Sequence, residues 1–352
     1  MTTEPQALEL IERQRPTGGD EGGTRDAGHL RVRRRRPLEY VEAGALLGLL
    51  VLVGLFFSVF PETSETFLTS ANLQVLIAGQ AVVAVVALAI LIPLTANEWD
   101  LSVGATAGLA AVMSASAMSG SGLLVGILVG VGVGVLVGAV NAIIVTRFNV
   151  NAVIGTLGMA TIVGGVINQK TSGLPVVSDI PVTLTDLGSG TWLGIPRIGV
   201  VVLLVALATH YMLEYTPFGR FLYALGANRA AARLVGLRTR LILGASFAIA
   251  GGLAAVGGIL AVARAGGADP SVGEQLLLPA FAAAFLSAAS IKPGRYNVGG
   301  VLVAVYFLAV LNNGLNLAGV KPYVNLYVNG GALIVGVGLA GYLGRKRRGE
   351  KA

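Results

Sequence analysis

Residues 122–146 read GLLVGILVGVGVGVLVGAVNAIIVT, twenty-five residues without a charged side chain. A helix rises about 1.5 Å per residue and the hydrocarbon core of a bilayer is about 30 Å thick, so an uncharged run of roughly 20 residues reaches across it. Within this run Gly126, Gly130, Gly134 and Gly138 recur at a four-residue spacing. That spacing lines them along one helix face, where the missing side chains let a second backbone approach closely. The stretch predicts a packed transmembrane helix.

The pattern extends outward in both directions. A first apolar run covers Tyr40 to Phe60, and further runs fall at 73–94, 101–119, 152–168, 198–213, 241–263, 276–291, 298–317 and 325–344. With 122–146 they make ten. Of the 352 residues 54% are hydrophobic and only 12% charged, against about 25% charged in soluble domains. The fold class expected is an all-α polytopic membrane protein with about ten transmembrane helices. The runs at 101–119, 152–168, 198–213 and 276–291 are short for a full crossing and read as candidates for broken, tilted or partly re-entrant helices. Residues 1–36, which end in the basic run Arg31, Arg33, Arg34, Arg35 and Arg36, read as a disordered cytoplasmic tail. The apolar run after that tail is longer than the apolar region of a cleavable signal and lacks an obvious small-residue cleavage site, so it reads as a first span that stays. The membrane domain spans 37–344, and 345–352 form a basic cytoplasmic tail.

Charge tests this topology, because cytoplasmic loops retain Lys and Arg. With the N-terminus placed inside, 21 of the 25 basic residues fall in inside segments, and only Lys170, Arg197, Arg264 and Lys321 fall outside. A missed span would scramble that alternation, so both termini are expected in the cytoplasm. The net charge of +7 is then mostly a topology signal. Nucleic-acid binding is the competing reading of basic clusters, but these abut spans and lack interleaved aromatics.

Several chemistries are disfavoured. The chain has no Cys and only two histidines, His29 and His210, which leaves no thiolate or imidazole metal centre. None of its five lysines follows a glycine, so the glycine–lysine core of a P-loop is missing. A membrane enzyme would need paired carboxylates for metal or acid–base work, and no such cluster occurs. The span centres carry no Asp, Glu, Lys or Arg, where an ion-coupled carrier commonly keeps a buried carboxylate. Such a carrier for a small polar solute is the alternative reading, and Glu98 and Asp100 are its only candidates. Neutral polar residues are present instead: Asn141, Thr156, Asn168, Asn312, Asn313 and Asn316. Amides and hydroxyls exchange hydrogen bonds with a hydroxylated solute without a counter-charge, although the same groups also glue helices together.

The longest inside loop, 214–240, reads EYTPFGRFLYALGANRAAARLVGLRTR. Asn228 is a good N-cap, residues 229–235 favour helix, and Gly236 supplies a stop. Arg229 and Arg233 share one face of this short helix, and Ala232, Leu234 and Val235 give it an apolar side that suits either a protein partner or the membrane surface. The segment TPFGRFLYALGANRAAARLVGL resembles the cytoplasmic coupling segment of permease subunits of ribose-type sugar ABC transporters, in the branched-chain amino acid/ribose permease superfamily. WDLSVGATAG at 99–108, VGAVNAIIVTRFNVNAVIGTLGMATIVGG at 137–165 and LNNGLNLAGVKPYVNLYVNG at 311–330 resemble the same family in the same order.

This resemblance implies a bacterial inner-membrane importer for a neutral sugar such as a pentose or related polyol. Its partners would be a second permease copy forming a homodimer, cytoplasmic P-loop ATPase subunits that hold the ATP, and an extracytoplasmic solute-binding protein. The chain itself would bind no cofactor and be no enzyme. Gly226, Asn228, Ala231, Ala232, Arg233 and Gly236 would form the ATPase-coupling element. Asp100 and Ser102, in the turn that opens span three, would join the neutral polar residues along the translocation pathway. The external loop 169–197, with Asp179, Asp186 and Trp192, is the candidate docking surface for the binding protein. Where family members usually carry Gly-Gly-Ile before the Asp-Leu-Ser stretch, this chain has Asn97, Glu98 and Trp99.

Overall fold

A computed structural model describes residues 37–177 and 179–348. The tail over 1–36 and the last four residues of the basic tail lie outside the described residues. In chain order come α1 (Pro37–Val59), α2 (Ser64–Phe67), α3 (Ser70–Gly79), α4 (Ala81–Thr95), α5 (Val103–Thr146), α6 (Ala152–Thr171) and α7 (Val182–Ser189). A small hairpin follows, β1 (Thr191–Trp192) and β2 (Ile195–Pro196), with Trp192 opposite Ile195. The chain continues through α8 (Arg197–Tyr215), α9 (Pro217–Ala227), α10 (Arg229–Leu234), α11 (Thr239–Ala265), α12 (Val272–Leu286), α13 (Val298–Leu317) and α14 (Tyr323–Arg348).

The long α5 is two helices joined by one glycine. Gly122 has φ 83° and ψ 177°, a conformation essentially restricted to residues without a Cβ. The chain reverses there, and Gly126 and Gly130 come down onto Met118, Ser114 and Ala110 of the first arm. Eight helical stretches are long and apolar enough to cross a membrane, with α3–α4 counted as one and α5 as one. Separating the arms of α5 and adding the apolar Ala43–Val59 gives ten apolar segments among the described residues.

Breaks do not fall mainly in the short runs. Helices α6 and α8 continue through theirs, while α12 passes into a 3-10 turn at Ser287–Ala289. The clear interruption lies instead between α3 and α4, at Gln80. A break frees backbone carbonyls, and here the Arg264 guanidinium of α11 donates to the Gly79 carbonyl at 3.1 Å.

Apolar on all sides, α4 has every residue except Val83 buried, as expected of a helix enclosed by others. It is packed by α5, α8, α11, α12 and α13. Beside it the second arm of α5 crosses α11 at backbone contact: a Cβ at Gly134 would overlap the Gly251 carbonyl oxygen, and one at Gly251 would overlap that of Gly134. The four-residue glycine spacing thus serves two neighbours, with Gly126 and Gly130 on the first arm and Gly134 and Gly138 on α11.

Connections alternate between two ends of the bundle. At one, here the loop end, Arg229 meets Glu98 and Glu214 meets Lys292 and Arg295. The Ile291 amide also donates to the Ala43 carbonyl there, and Ala340 and Gly341 line a cavity with Arg220, so the first and last spans begin and finish at this end. At the other, the hairpin end, Ser119 bonds Asp179, Val176 bridges Ala268, and Gln74 bonds the Gly194 carbonyl. Among the described residues, Arg229, Lys292 and Arg295 lie at the loop end and Arg197 at the hairpin end.

Candidate functional site

At the loop end the segment 214–240 folds into α9 and the short α10. The Asn228 side chain accepts from the Ala231 amide at 3.0 Å and caps α10. Gly236, at φ +81°, turns the chain out of the helix, while the Gly236 and Leu237 amides donate to the Arg233 and Ala232 carbonyls. Both ends are therefore fixed by the residues that the pattern singled out, in a Schellman-type stop. Ala232 is buried beneath the helix, whereas Ala231, Arg233, Leu234 and Val235 are exposed. Gly226 lies against the Thr95 carbonyl at the end of α4, so close that a Cβ would overlap it.

The two arginines of α10 have different surroundings. Arg229 reaches back to Glu98 at 2.8 Å, and the Glu98 side chain is only 16% exposed. Burial pushes that carboxyl above its ordinary pKa, and the guanidinium opposes the shift. Beside Glu98, Trp99 packs edge-on against Phe285, which in turn meets Tyr296. Lys292 and Arg295 clasp Glu214 at 2.8 and 3.5 Å, Arg295 lies 3.6 Å over the Tyr223 ring, and the Tyr223 hydroxyl donates to the Tyr296 carbonyl. A cavity of about 640 Å³ opens among Trp99, Arg220, Tyr223, Gly226 and Arg295. Sequence reading took Lys292 and Arg295 only as topology markers; their pairing across some eighty residues of chain left no local trace.

Asp100, Ser102, Asn141 and Thr156 are buried together. The Asp100 carboxylate accepts from the Ser102 amide and hydroxyl, and the Asn141 amide donates to the Ser102 hydroxyl oxygen at 2.7 Å. The Leu101 amide donates to the Thr156 hydroxyl at 2.9 Å. Desolvation raises the Asp100 carboxyl to about 6 despite the bonds from Ser102. This turn has a counterpart at the hairpin end that sequence reading missed. Asp100-Leu101-Ser102-Val103-Gly104 and Asp269-Pro270-Ser271-Val272-Gly273 share the pattern Asp-x-Ser-Val-Gly. In the second copy Asp269 again accepts from the amide and hydroxyl of the serine two residues on. Gly104 and Gly273 meet, each leaving room for the other's carbonyl. The five-residue echo was the available clue.

The remaining candidates divide. Asn313 and Asn72 exchange reciprocal amide bonds at 3.0 Å, while Asn312 pairs with Asn329 and Asn316 with Asn325, so all three occupy joints between helices. Asn168 and Thr161 line a second cavity of about 630 Å³ at the hairpin end, with Asp269, Ser271 and Glu274. Of the loop residues, Arg197 lies 4.0 Å from Asp186 and 5.6 Å over the Trp192 ring. Asp179 sits apart on Ser119. Trp192, Leu193 and Ile195 are exposed at the hairpin.

An apolar bundle of about ten crossings, with cavities opening at both of its ends and its polar groups paired in turns and between helices, has the build of a solute permease. The family described as branched-chain amino acid transport system / permease component matches residues 44–337, and the chain belongs to that family. It is similar to the ribose import permease protein RbsC of Escherichia coli K12, 34% identical over 302 residues, 84% of this chain and 92% of the relative. The Bacillus subtilis RbsC is 32% identical over 84% of this chain and 91% of the relative. The autoinducer 2 import system permease protein LsrC of Photorhabdus laumondii is 32% identical over 83% and 87%. No solved structure matches. The chain is a multi-pass permease component of an ATP-binding-cassette importer and not itself an enzyme; ATP hydrolysis belongs to partner subunits.

Proposed function

We propose that this chain imports a neutral sugar, a pentose or related polyol, as one of two copies in a homodimer. In the working complex it is joined by ATPase subunits at the loop end and a solute-binding protein at the hairpin end. The loop end, with the basic loops, is then cytoplasmic, as are both termini. The observation that carries the reading is α10, a short helix capped at both ends that presents Arg233, Leu234 and Val235 outward while Ala232 anchors it. An exposed apolar edge beside a cation suits a groove on a protein partner. Gly226, Asn228, Ala231, Ala232, Arg233 and Gly236 shape this element.

Amides, hydroxyls and carboxylates at the hairpin-end cavity accept and donate to the hydroxyls of a sugar, with Asn168 nearest to that role. Asp100, Ser102, Asn141 and Thr156 shape the pathway wall from behind, and Asn312, Asn313 and Asn316 hold its helices. The exposed hairpin around Trp192, with Asp186 and Asp179 on the same end, is the docking surface for the binding protein. The relatives named for ribose and autoinducer 2 import support a small polyhydroxylated cargo.

The test is reconstitution of the chain with the ATPase and binding protein that co-purify with it. Arg233→Glu is expected to insert and dimerise normally but to lower ATP-driven uptake about tenfold, a coupling loss of ordinary allosteric size. Uptake by the chain alone, independent of ATP and collapsed by an uncoupler, would overturn the proposal in favour of an ion-coupled carrier.

A further inference from the structure

We propose that the Glu98–Arg229 ion pair is the joint through which movement of α10 is delivered to the pathway wall. The inference rests on the importer reading above and deepens it. Besides the buried Leu225 and Ala232, two contacts tie the end of α9 and the start of α10 to the bundle: the 2.8 Å contact from Arg229 to Glu98, and the close approach of Gly226 to the Thr95 carbonyl. The first lands on the connection that follows α4 and the second on the last residue of α4. Glu98 is shielded while Arg229 stays 43% exposed, and a pair with one buried partner is screened less by salt than a pair with both partners in water.

From Glu98 the path continues through the backbone. Asn97 adopts φ 62°, a left-handed conformation that asparagine tolerates better than most residues, and it swings Glu98 toward α10. Two residues beyond Glu98, Asp100 is locked onto Ser102, and Ser102 is held by Asn141 of the second α5 arm. The Leu101 amide and the Trp99 carbonyl both engage the Thr156 hydroxyl of α6, at 2.9 and 3.4 Å. The turn is therefore fastened to two helices by hydrogen bonds and to α10 by charge. Helix α6 runs on from Thr156 along a cavity that Leu101 of this same turn lines together with Ala105, Thr161 and Asn168. A pull on Arg229 thus acts on a turn whose own Leu101 lines the solute cavity and which is fastened to the α6 wall of that cavity. Glu98 and Arg229 are positioning residues in this scheme, since neither touches solute or ATP. The other arginine, Arg233, is left for the partner.

The experiment uses the reconstituted complex with Glu98→Arg, Arg229→Glu and both changes together. The readout is solute transported per ATP hydrolysed. A staple that merely stabilised the fold would reduce the amount of complex but leave this ratio alone. Each single reversal is expected to lower the ratio at least about fivefold, and the swap, which restores the pair with opposite polarity, to recover it to within about twofold. Should a reversal fail to assemble, Glu98→Gln and Arg229→Gln give the same reading without burying like charges, and Arg229→Lys is expected to keep the ratio. Unchanged ratios in the single variants, or a swap no better than the worse single variant, would overturn the joint. A wild-type complex with no ATP-driven uptake would overturn the importer reading beneath it, and the two failures are told apart by the wild-type measurement.

Discussion

Replacing Gly134 by alanine adds a single carbon at the crossing of α5 and α11. That carbon would overlap the Gly251 carbonyl oxygen and lie 2.6 Å from the Ala255 Cβ, whereas unstrained carbon contacts lie at about 3.5–4.0 Å. The helices must separate by about 1 Å to admit it. A gap of that size forfeits about a quarter to a half of a contact worth some 0.1–0.2 kcal/mol. Over the few tens of atom pairs along the crossing the loss comes to roughly 1–3 kcal/mol, the usual cost of overpacking. Gly132, two residues away, has nothing within 4 Å of its own added Cβ. There alanine meets no obstacle and gains helix propensity, up to about 1 kcal/mol. The same substitution is thus expected to destabilise at 134 and to be neutral or stabilising at 132. Unfolding of the purified protein by SDS in mixed micelles, followed by circular dichroism, measures both. Equal midpoints for the two variants would refute the claim that the glycine face acts through backbone contact.

Two further outcomes follow from the polar joints. A double-mutant cycle with Asn72→Ala and Asn313→Ala is expected to give a coupling of about 0.6 kcal/mol, the average for hydrogen bonds between membrane helices, in the same unfolding assay; additive losses would show the amide pair to be energetically silent. For Asp100 the sign follows from its raised pKa. The folded protein holds this proton to about pH 6, against 3.8 for an ordinary aspartate, so folding takes up protons between about pH 4 and 6 and stability falls as pH rises through that window. Asp100→Asn keeps an acceptor for Ser102 and is expected to remove that slope; a pH profile identical to wild type would count against a titrating Asp100.

Much of the fold follows from composition along the chain, because a bilayer excludes charge and unpaired backbone wherever they occur. The runs at 101–119 and 122–146 are separated by Gly120 and Ser121, and the reversal at Gly122 falls at that division. Asn228 and Gly236 are likewise local devices, legible because a cap acts on neighbours in sequence. The break at Gln80 was not legible, since its stabilising group, Arg264, comes from a helix distant in the chain. Nor was the role of Asn313 decidable: an amide suits a solute or another amide equally well, and only packing puts Asn72 opposite it.

The sequence by itself determined that the chain is an all-helical, multi-pass membrane protein and that it holds no P-loop of its own. These depend on transfer of residues between water and lipid and on nearest-neighbour backbone chemistry, both summed along the chain. Only the tertiary structure decided that Glu98 belongs to Arg229, that Lys292 and Arg295 close on Glu214, and that the turns at Asp100 and Asp269 meet through Gly104 and Gly273. An ion pair or backbone contact between distant residues is set by how helices pack, and one-dimensional order carries no record of that distance.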